Sequence, residues 1–315
     1  MRRRICIVLM VVFGFSAHSQ IADSLYQYQS FELMYENDVF TASDRYYSQG
    51  ILLNYENHNL QVDWLKPFFF RVPDIERNLF NGIAQKAYTP STITSDSIQP
   101  WDRPYAATIA YTTQFSSRSK SKNYTLHWNL SLGFIGDAAF GEYTQTTIHR
   151  WIGGTKPLGW QHQLNNGLIL NLGFGITKSF FTQTRWLRLE FSDFVTVGTL
   201  TNDMRIQGAL KLGYIANRRQ FYVYYLPELR IVAYDGTLQG ALFAKPSEAA
   251  VPVSKVERLI SEQEIGVYLR YNRFFATAHV HYQSRLFRYA WNHAWGGLSI
   301  GYNLWDNYWK REVSK

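Results

Sequence analysis

Two short polar segments of this sequence contain residue types that can do chemistry. The first runs from Glu36-Asn37-Asp38 to Asp44 and Ser48, and it offers carboxylate, amide and hydroxyl oxygens. Oxygen ligands of these kinds bind hard cations such as calcium. The same composition is also typical of a plain hairpin turn, because Asn, Asp and Ser accommodate turn backbone. Composition alone leaves both interpretations open.

The second segment is 141–152, which can form a short helix. Gln145 and His149 lie four residues apart on it and therefore share one face. Histidine is the usual general base at neutral pH. A single histidine in a loop is more often a solvated or capping residue, so this interpretation also stays open.

The rest of the chain must position these segments, and it alternates between apolar and polar residues with the period of two that β-strands show. One face of each alternating segment is apolar and aromatic, and the other carries charged, amide, histidine or glycine residues. We count twelve such segments, near 31–37, 49–56, 79–88, 105–116, 124–135, 165–176, 184–195, 206–215, 220–233, 262–272, 275–284 and 294–304.

The alternation fits two architectures. A soluble barrel or sandwich buries its apolar face, whereas a transmembrane barrel turns that face to lipid and keeps a polar interior. Segments of about ten residues with charges on the non-apolar face fit the second, as does an aromatic content of 17%. We predict an all-β fold: a twelve-stranded antiparallel transmembrane β-barrel of the outer membrane, with a short helix in an extracellular loop. A soluble secreted lipid-binding barrel is the competing fold.

Connection lengths agree with a chain that starts on the periplasmic side. Connections such as 117–123 and 216–219 are then periplasmic and short, and 136–164 and 234–261 are extracellular and long. The long 57–78 connection is the exception.

Strand parity predicts which side of the wall the polar segments occupy. It places Asn37 on the lipid-facing side, at the outer end of the first strand, together with Phe31, Leu33 and Tyr35. The helix also has an apolar flank that we expect to pack on the barrel rim, formed by Ile148, Trp151 and Ile152.

The N-terminus predicts secretion. A basic start, an apolar run over 5–15 and small residues near Ser19 indicate a signal peptide over 1–19, followed by a barrel domain over 20–315. Its removal takes away three arginines, so the formal charge falls from +8 to +5, and also Cys6, the single cysteine. The mature chain then has no disulfide and no thiol nucleophile. Its charge is too low to indicate nucleic acid but is compatible with anionic lipid headgroups.

Two motif matches are misleading. The sequence 297–301 reads G-x-S-x-G, but it lies inside the last alternating segment and not at a strand–turn–helix junction. His279 and His281 share a strand face that could bind a metal, although polar lining of the interior is the simpler interpretation.

Five polar blocks, taken in order, resemble the outer-membrane lipid A 3′-O-deacylases. Each block is weak alone, but their order and spacing match from about residue 30 to residue 305. They are Glu36-Asn37-Asp38; Asp44-Arg45 with Tyr47-Ser48-Gln49-Gly50; Gln85-Lys86-Ala87-Tyr88-Thr89-Pro90; Asp102-Arg103-Pro104-Tyr105-Ala106; and Gln145 with His149-Arg150-Trp151-Ile152-Gly153, continuing through Lys156-Pro157 to Gly159-Trp160-Gln161-His162-Gln163-Leu164.

The resemblance implies a twelve-stranded barrel with calcium-dependent esterase activity, which removes the 3′-linked acyloxyacyl chain of lipid A at the outer-leaflet end. It implies that His149 is the catalytic base and that Gln145 orients the histidine or the water. By the same resemblance, Asn37 and Asp38 correspond to the family's essential Asn-Asp pair at the Ca²⁺ site. Ser48 corresponds to the Thr or Ser of the family's Tyr-Thr/Ser-x-Gly block. The expected partner is lipopolysaccharide in the outer membrane, and the expected state is a monomer.

One departure concerns the phosphate contact. Some members of that family carry a lysine shortly after the Tyr-Ser/Thr-Pro block, and residues 91–95 contain none. Contact with substrate phosphate then falls to Lys86, Arg103 or Lys156. The alternative function is a non-catalytic outer-membrane barrel, a porin or a scaffold, with the same fold.

Overall fold

A computed structural model describes residues 28–43, 45–216 and 219–306 of the chain. The signal peptide predicted over 1–19, Asp44 and any extension of the last strand beyond 306 lie outside these residues. Within them, twelve strands pair antiparallel in chain order, and the first pairs with the last to close a barrel. The predicted twelve-stranded barrel is confirmed. No helix in the described part of the chain is both long and apolar enough to cross a membrane.

The strands have the following bounds. They are β1 (Tyr28–Asn37), β2 (Tyr46–His58), β3 (Ile75–Thr89), β4 (Ala106–Ser119), β5 (Tyr124–Ile135), β6 (Gly167–Phe180), β7 (Leu187–Gly198), β8 (Thr201–Ile215), β9 (Arg219–Asp235), β10 (Leu259–Tyr271), β11 (Phe274–Gln283) and β12 (His293–Asp306). Two helices lie in loops, α1 (Gly141–Ile152) and α2 (Gly236–Gln239).

Most strands are longer than the alternation predicts. β8 begins at Thr201, whereas the pattern begins near residue 206. The extra residues include Asn202 and Asp203, which are polar on both faces and therefore hide the period of two. Strand ends are poorly predicted wherever the outward face becomes polar.

The outward face of the barrel is apolar, as the alternation predicts. Phe31 and Leu33 are 44% and 49% exposed on the outside of β1, and Glu32 between them lines an interior cavity. Closure of the sheet pairs the backbone of every strand, which is the condition for crossing a bilayer with strands.

The end of the barrel that carries the long connections, which we name the loop end, is closed by loop packing. Leu238 of α2 and Phe287 of the β11–β12 loop are fully buried in one apolar cluster over the mouth. From the opposite side of the barrel, Arg103 donates a hydrogen bond to the hydroxyl of Thr237 at 2.7 Å. Loops from opposite walls therefore meet above the interior.

The other end, which we name the hairpin end, has short turns and one long segment, 59–74. That segment contains a 3-10 helix (Asp63–Phe68) and folds back onto the outside of the wall. Phe68 stacks on Phe115 at 5.4 Å, and the Trp128 indole N–H donates to the Phe68 carbonyl at 2.6 Å. This packing accounts for the one long connection at the end where short ones were expected.

Several charged side chains in the interior are paired. Asp203 accepts from Arg230 at 2.6 Å, and Lys211 lies 3.0 Å from Glu190. His279 and His281 also face carboxylates inside the barrel. Among the described residues no group of three or more His, Cys, Asp or Glu is arranged to hold a metal.

Candidate functional site

Helix α1 lies on the outside of the barrel wall, against β3 and β4. Its buried residues are Gly141, Gln145 and His149, which form one stripe toward the wall. A Cβ at Gly141 would lie 2.4 Å from the Cβ of Ala107 and 2.6 Å from the ring of Trp160. Glycine at this position therefore lets the first turn of the helix approach the sheet.

The apolar flank of α1 faces away from the barrel. Trp151 is 79% exposed and Ile152 is 61% exposed, whereas Ile148 is half-buried. The expected packing on the rim is therefore wrong for Trp151 and Ile152. The physical reason is the position of the helix. On an outward wall whose neighbours are apolar, polar groups find their partners toward the protein, and apolar side chains are tolerated outside.

Two glutamines on the outer wall hold the helix. The side chain of Gln49 donates to the Thr144 hydroxyl at 2.7 Å, and that of Gln85 donates to the same hydroxyl at 3.0 Å. Gln49 lies on the same face of β2 as Leu53, and Gln85 lies on the same face of β3 as Ile83. Leu53 and Ile83 are 50% and 49% exposed, so this face is the outward one. The contacts place the polar stripe of α1 between the helix and the outside of β2 and β3.

Asn37 belongs to the same outward row. It pairs directly with Gln49 across β1 and β2, and paired side chains on one face lie close together. Its amide donates to the Tyr35 hydroxyl at 2.9 Å, while its carbonyl oxygen accepts from the backbone of Val39 at 2.8 Å and caps a 3-10 turn (Asp38–Thr41). A path of neighbours thus runs from Asn37 through Gln49 to Thr144 on α1.

Ser48 is the extra residue of a β-bulge. The register of β2 on β3 shifts between Tyr47 and Gln49, a feature that often re-aims a side chain beside a functional site. The Ser48 hydroxyl lies 2.6 Å from that of Thr89, and both residues are buried.

Gln145 is oriented by an indole. The N–H of buried Trp160 donates to its carbonyl oxygen at 2.8 Å. That bond fixes which end of the amide faces Trp160 and leaves the NH₂ group, Nε2, without a hydrogen-bond partner in the described structure. A buried amide donor of this kind is available to a bound oxygen atom.

His149 is oriented by the backbone. Its Nδ1 lies 2.5 Å from the carbonyl oxygen of Thr155, and a carbonyl can only accept, so Nδ1 carries the proton in the neutral ring. Nε2 is then the free basic nitrogen. The left-handed C-cap of α1 at Gly153 turns the chain so that Thr155 returns beneath the ring.

The residues expected at a calcium site supply ligands of a suitable kind. The Asp38 side chain is 1% exposed and accepts from the backbone N–H of Arg45 at 2.6 Å. Carboxylate and amide oxygens are the groups that Ca²⁺ prefers, although it takes about six to eight of them. Asp38 and Asn37 could therefore supply part of such a ligand set.

The three residues predicted to contact phosphate lie on different sides of the wall. Lys86 and Arg103 line the interior cavity, where the Lys86 ammonium sits 5.6 Å from the ring of Tyr47. Burial lowers the pKa of Arg103, opposed by the Asp235 carboxylate. Lys156 is exposed on the outside, directly after the carbonyl that holds His149.

The structure places Asn37 in the outward row of the wall and Ser48 at the adjacent bulge, while Gln145 and His149 lie on the stripe of α1 that faces this wall. Lys86 and Arg103 line the interior instead. Sequence reasoning did not single out Gln49 and Gln85 as the groups that hold the helix. Their signal is the appearance of an amide on a strand face that is otherwise apolar and exposed.

Comparison with known proteins gives a family match and matches to solved structures. Residues 5–304 match the family described as "Outer membrane protein LpxR". LpxR from Salmonella typhimurium aligns with a TM-score of 0.71 at 18% sequence identity, over 87% of this chain and 99% of that one.

More distant barrels also align. The KdgM porin gives a TM-score of 0.42 at 8% sequence identity, over 88% of this chain and 99% of that one. The NanC porin gives a TM-score of 0.41 at 8% sequence identity, over 88% of this chain and 100% of that one. Scores this low carry no argument about function. A comparison with curated proteins found no match.

Proposed function

The chain belongs to the LpxR family, with a barrel integral to the outer membrane, and from this premise we propose that it is an esterase that removes the 3′-linked acyl chain of lipid A. One observation carries the proposal: His149 lies buried on the stripe of α1 that faces the outside of the wall, with Nδ1 on the Thr155 carbonyl and Nε2 as its basic nitrogen. We name the polar contact region between α1 and the outside of β2 and β3 the cleft. An acyl chain can enter such a cleft sideways from the leaflet. Residue parity and the long loops support an outer-leaflet position.

His149 acts as the general base. With the proton on Nδ1 shared with the Thr155 carbonyl, Nε2 removes a proton from water as the water oxygen attacks the ester carbonyl carbon. The tetrahedral intermediate then expels the sugar alkoxide. The imidazolium returns its proton to that oxygen, so the products are a fatty acid and a free hydroxyl on lipid A.

Gln145 positions the attacking water. Its Nε2 amide group is buried and unpaired in the described structure, and the bond from Trp160 holds it in this orientation. Stabilisation of the oxyanion falls to the groups at the ends of β1 and β2, Asn37 and Ser48, because preorganised donors stabilise developing charge more effectively than water does.

Asp38 and Asn37 would hold the calcium ion that this family resemblance implies. When bound, the ion would supply positive charge that stabilises the developing oxyanion. For the substrate phosphate we propose Lys156, because it is the one of the three candidates that lies on the outside of the wall.

The test is the mass of lipid A from cells that express the chain. We expect wild type to yield lipid A lighter by its 3′ acyl substituent, and His149→Ala to yield unchanged lipid A, since a general base contributes about 10²- to 10⁴-fold. His162→Ala is the matched control, because this loop histidine also contacts a backbone carbonyl, that of Asp96 at 2.8 Å. Identical lipid A from wild type and His149→Ala with calcium present would remove the enzyme proposal and leave the non-catalytic barrel.

A further inference from the structure

An aromatic surface at the loop end lies outside the cleft described above. It consists of Trp101 from the β3–β4 loop and of Tyr289 and Trp291 from the β11–β12 loop, and we name these three residues the aromatic platform. They are 62%, 47% and 61% exposed. Trp101 and Tyr289 meet edge to face at 5.3 Å. A contiguous group of exposed rings beside a cavity can form a binding surface.

The platform borders an open cavity of about 660 Å³. Its walls combine ring faces with polar groups, among them the side chains of Ser91, Gln99 and Asp102. Asp102 is already satisfied, because it accepts from both the backbone and the hydroxyl of Ser91. Flat rings beside hydrogen-bonding groups suit a ligand that has an apolar face and polar edges, and a pyranose ring has both.

Two cations flank the rings. The Arg45 guanidinium lies 4.8 Å from the Trp291 ring, and the Lys255 ammonium lies 5.5 Å from the Tyr289 ring. Arg45 Nε is buried without a hydrogen-bond partner in the described part of the chain. A ligand with carboxylate or phosphate groups would complement this charge.

Arg45 also connects the platform to the lipid-facing cleft. Its backbone N–H donates to the Asp38 carboxylate at 2.6 Å, while its side chain lies on Trp291. A glycolipid bound with its acyl chain in the cleft would therefore extend its sugars past Arg45. We propose that the aromatic platform binds the anionic saccharide attached to lipid A, an inference whose choice of ligand rests on the proposed function.

The experiment measures binding of the saccharide without its lipid. The probe is the oligosaccharide released from lipopolysaccharide by mild acid, added to the folded full-length protein in detergent and followed by calorimetry. We expect Trp291→Ala and Trp101→Ala each to raise the Kd about tenfold, as truncation of a central aromatic contact does. Trp186→Ala is the matched control, because that residue is 64% exposed and pairs with Tyr214 at 5.6 Å at the hairpin end.

Binding that is absent, or that is equally strong in the Trp291→Ala variant, overturns the proposal. A second outcome also overturns it: the protein binds no saccharide but forms a dimer, and Trp291→Ala dissociates that dimer. The platform would then contact a second copy of the chain. Because the probe has no acyl chain, its binding can be measured whether or not the protein deacylates lipid A. The two proposals can therefore fail separately. In an active enzyme, Trp291→Ala should raise KM for lipopolysaccharide and leave KM for sugar-free lipid A unchanged.

Discussion

At the scale of single residues, both candidate site side chains of α1 receive their orientation from a group outside the helix. His149 is fixed by the Thr155 carbonyl and Gln145 by the Trp160 indole. Thr155 and Trp160 belong to the segment that follows α1, which returns along the wall. The geometry of the site therefore depends on this return segment as much as on the helix.

Removing the indole donor tests this dependence. We expect Trp160→Phe, which keeps an aromatic ring against Tyr105, to lower kcat for lipid A about tenfold, because Gln145 loses its hydrogen bond and can rotate. Loss of one hydrogen bond costs about 1 kcal/mol of stability, which is too little to unfold the barrel. The variant should therefore keep the heat-modifiable gel mobility of a folded barrel. The readout is kcat and KM on mixed micelles of lipid A and detergent. An unchanged kcat would show that the orientation of Gln145 does not matter.

At the scale of secondary-structure elements, α1 is amphipathic in the opposite sense to a helix on a soluble core. Its polar stripe, Thr144, Gln145 and His149, faces the protein, while Trp151 faces outward. The two glutamines of the wall take the place of the apolar contacts that would fix a surface helix in water. Loss of both should free the helix without opening the barrel.

Proteolysis tests the role of the glutamines. Arg150 is exposed on α1. We expect trypsin to cleave after it faster in the double variant Gln49→Ala/Gln85→Ala than in wild type, because each substitution removes a hydrogen bond to the Thr144 hydroxyl. Mass spectrometry of the fragments follows the rate. Gln263→Ala is the control, since this exposed glutamine on the wall accepts from Tyr225 at 3.0 Å, away from α1. Equal cleavage rates in all three proteins would mean that other contacts hold the helix.

The strands could be predicted from the sequence because alternation directly records which side of a wall is apolar. Helix α1 could be located by its length and by the spacing of Gln145 and His149, but the direction of its Trp151 flank could not, since an apolar stripe faces inward in water and outward in lipid. The contacts of Ser48 with Thr89 and of Gln49 with Thr144 join residues 41 and 95 positions apart. Local pattern contains no information on such pairs.

At the scale of the whole molecule, the interior is separate from the site. The mouth is covered by the cluster around Leu238 and Phe287, and several interior charges are paired with one another. Lys86 faces this interior while Gln85, one residue earlier, faces α1. The wall is one sheet thick, so neighbouring residues of one strand serve two compartments.

A closed mouth predicts that the barrel does not conduct ions. We expect no stepwise conductance when the protein is inserted in planar lipid bilayers, in contrast to the porin alternative. A variant that lacks residues 242–252 removes Val251 from the cluster over the mouth and should conduct. Stable open-pore steps from the full-length protein would contradict the packing described above and favour the porin alternative.

The sideways opening of the cleft also determines how rates must be expressed. A substrate that reaches His149 along the leaflet arrives by diffusion in two dimensions, so the relevant concentration is the mole fraction of lipid A in the membrane and not its amount per litre. Inert lipid added at constant total substrate then acts as a diluent. For the proposed deacylase, the membrane composition of the cell would thereby set the working rate without a separate regulatory ligand.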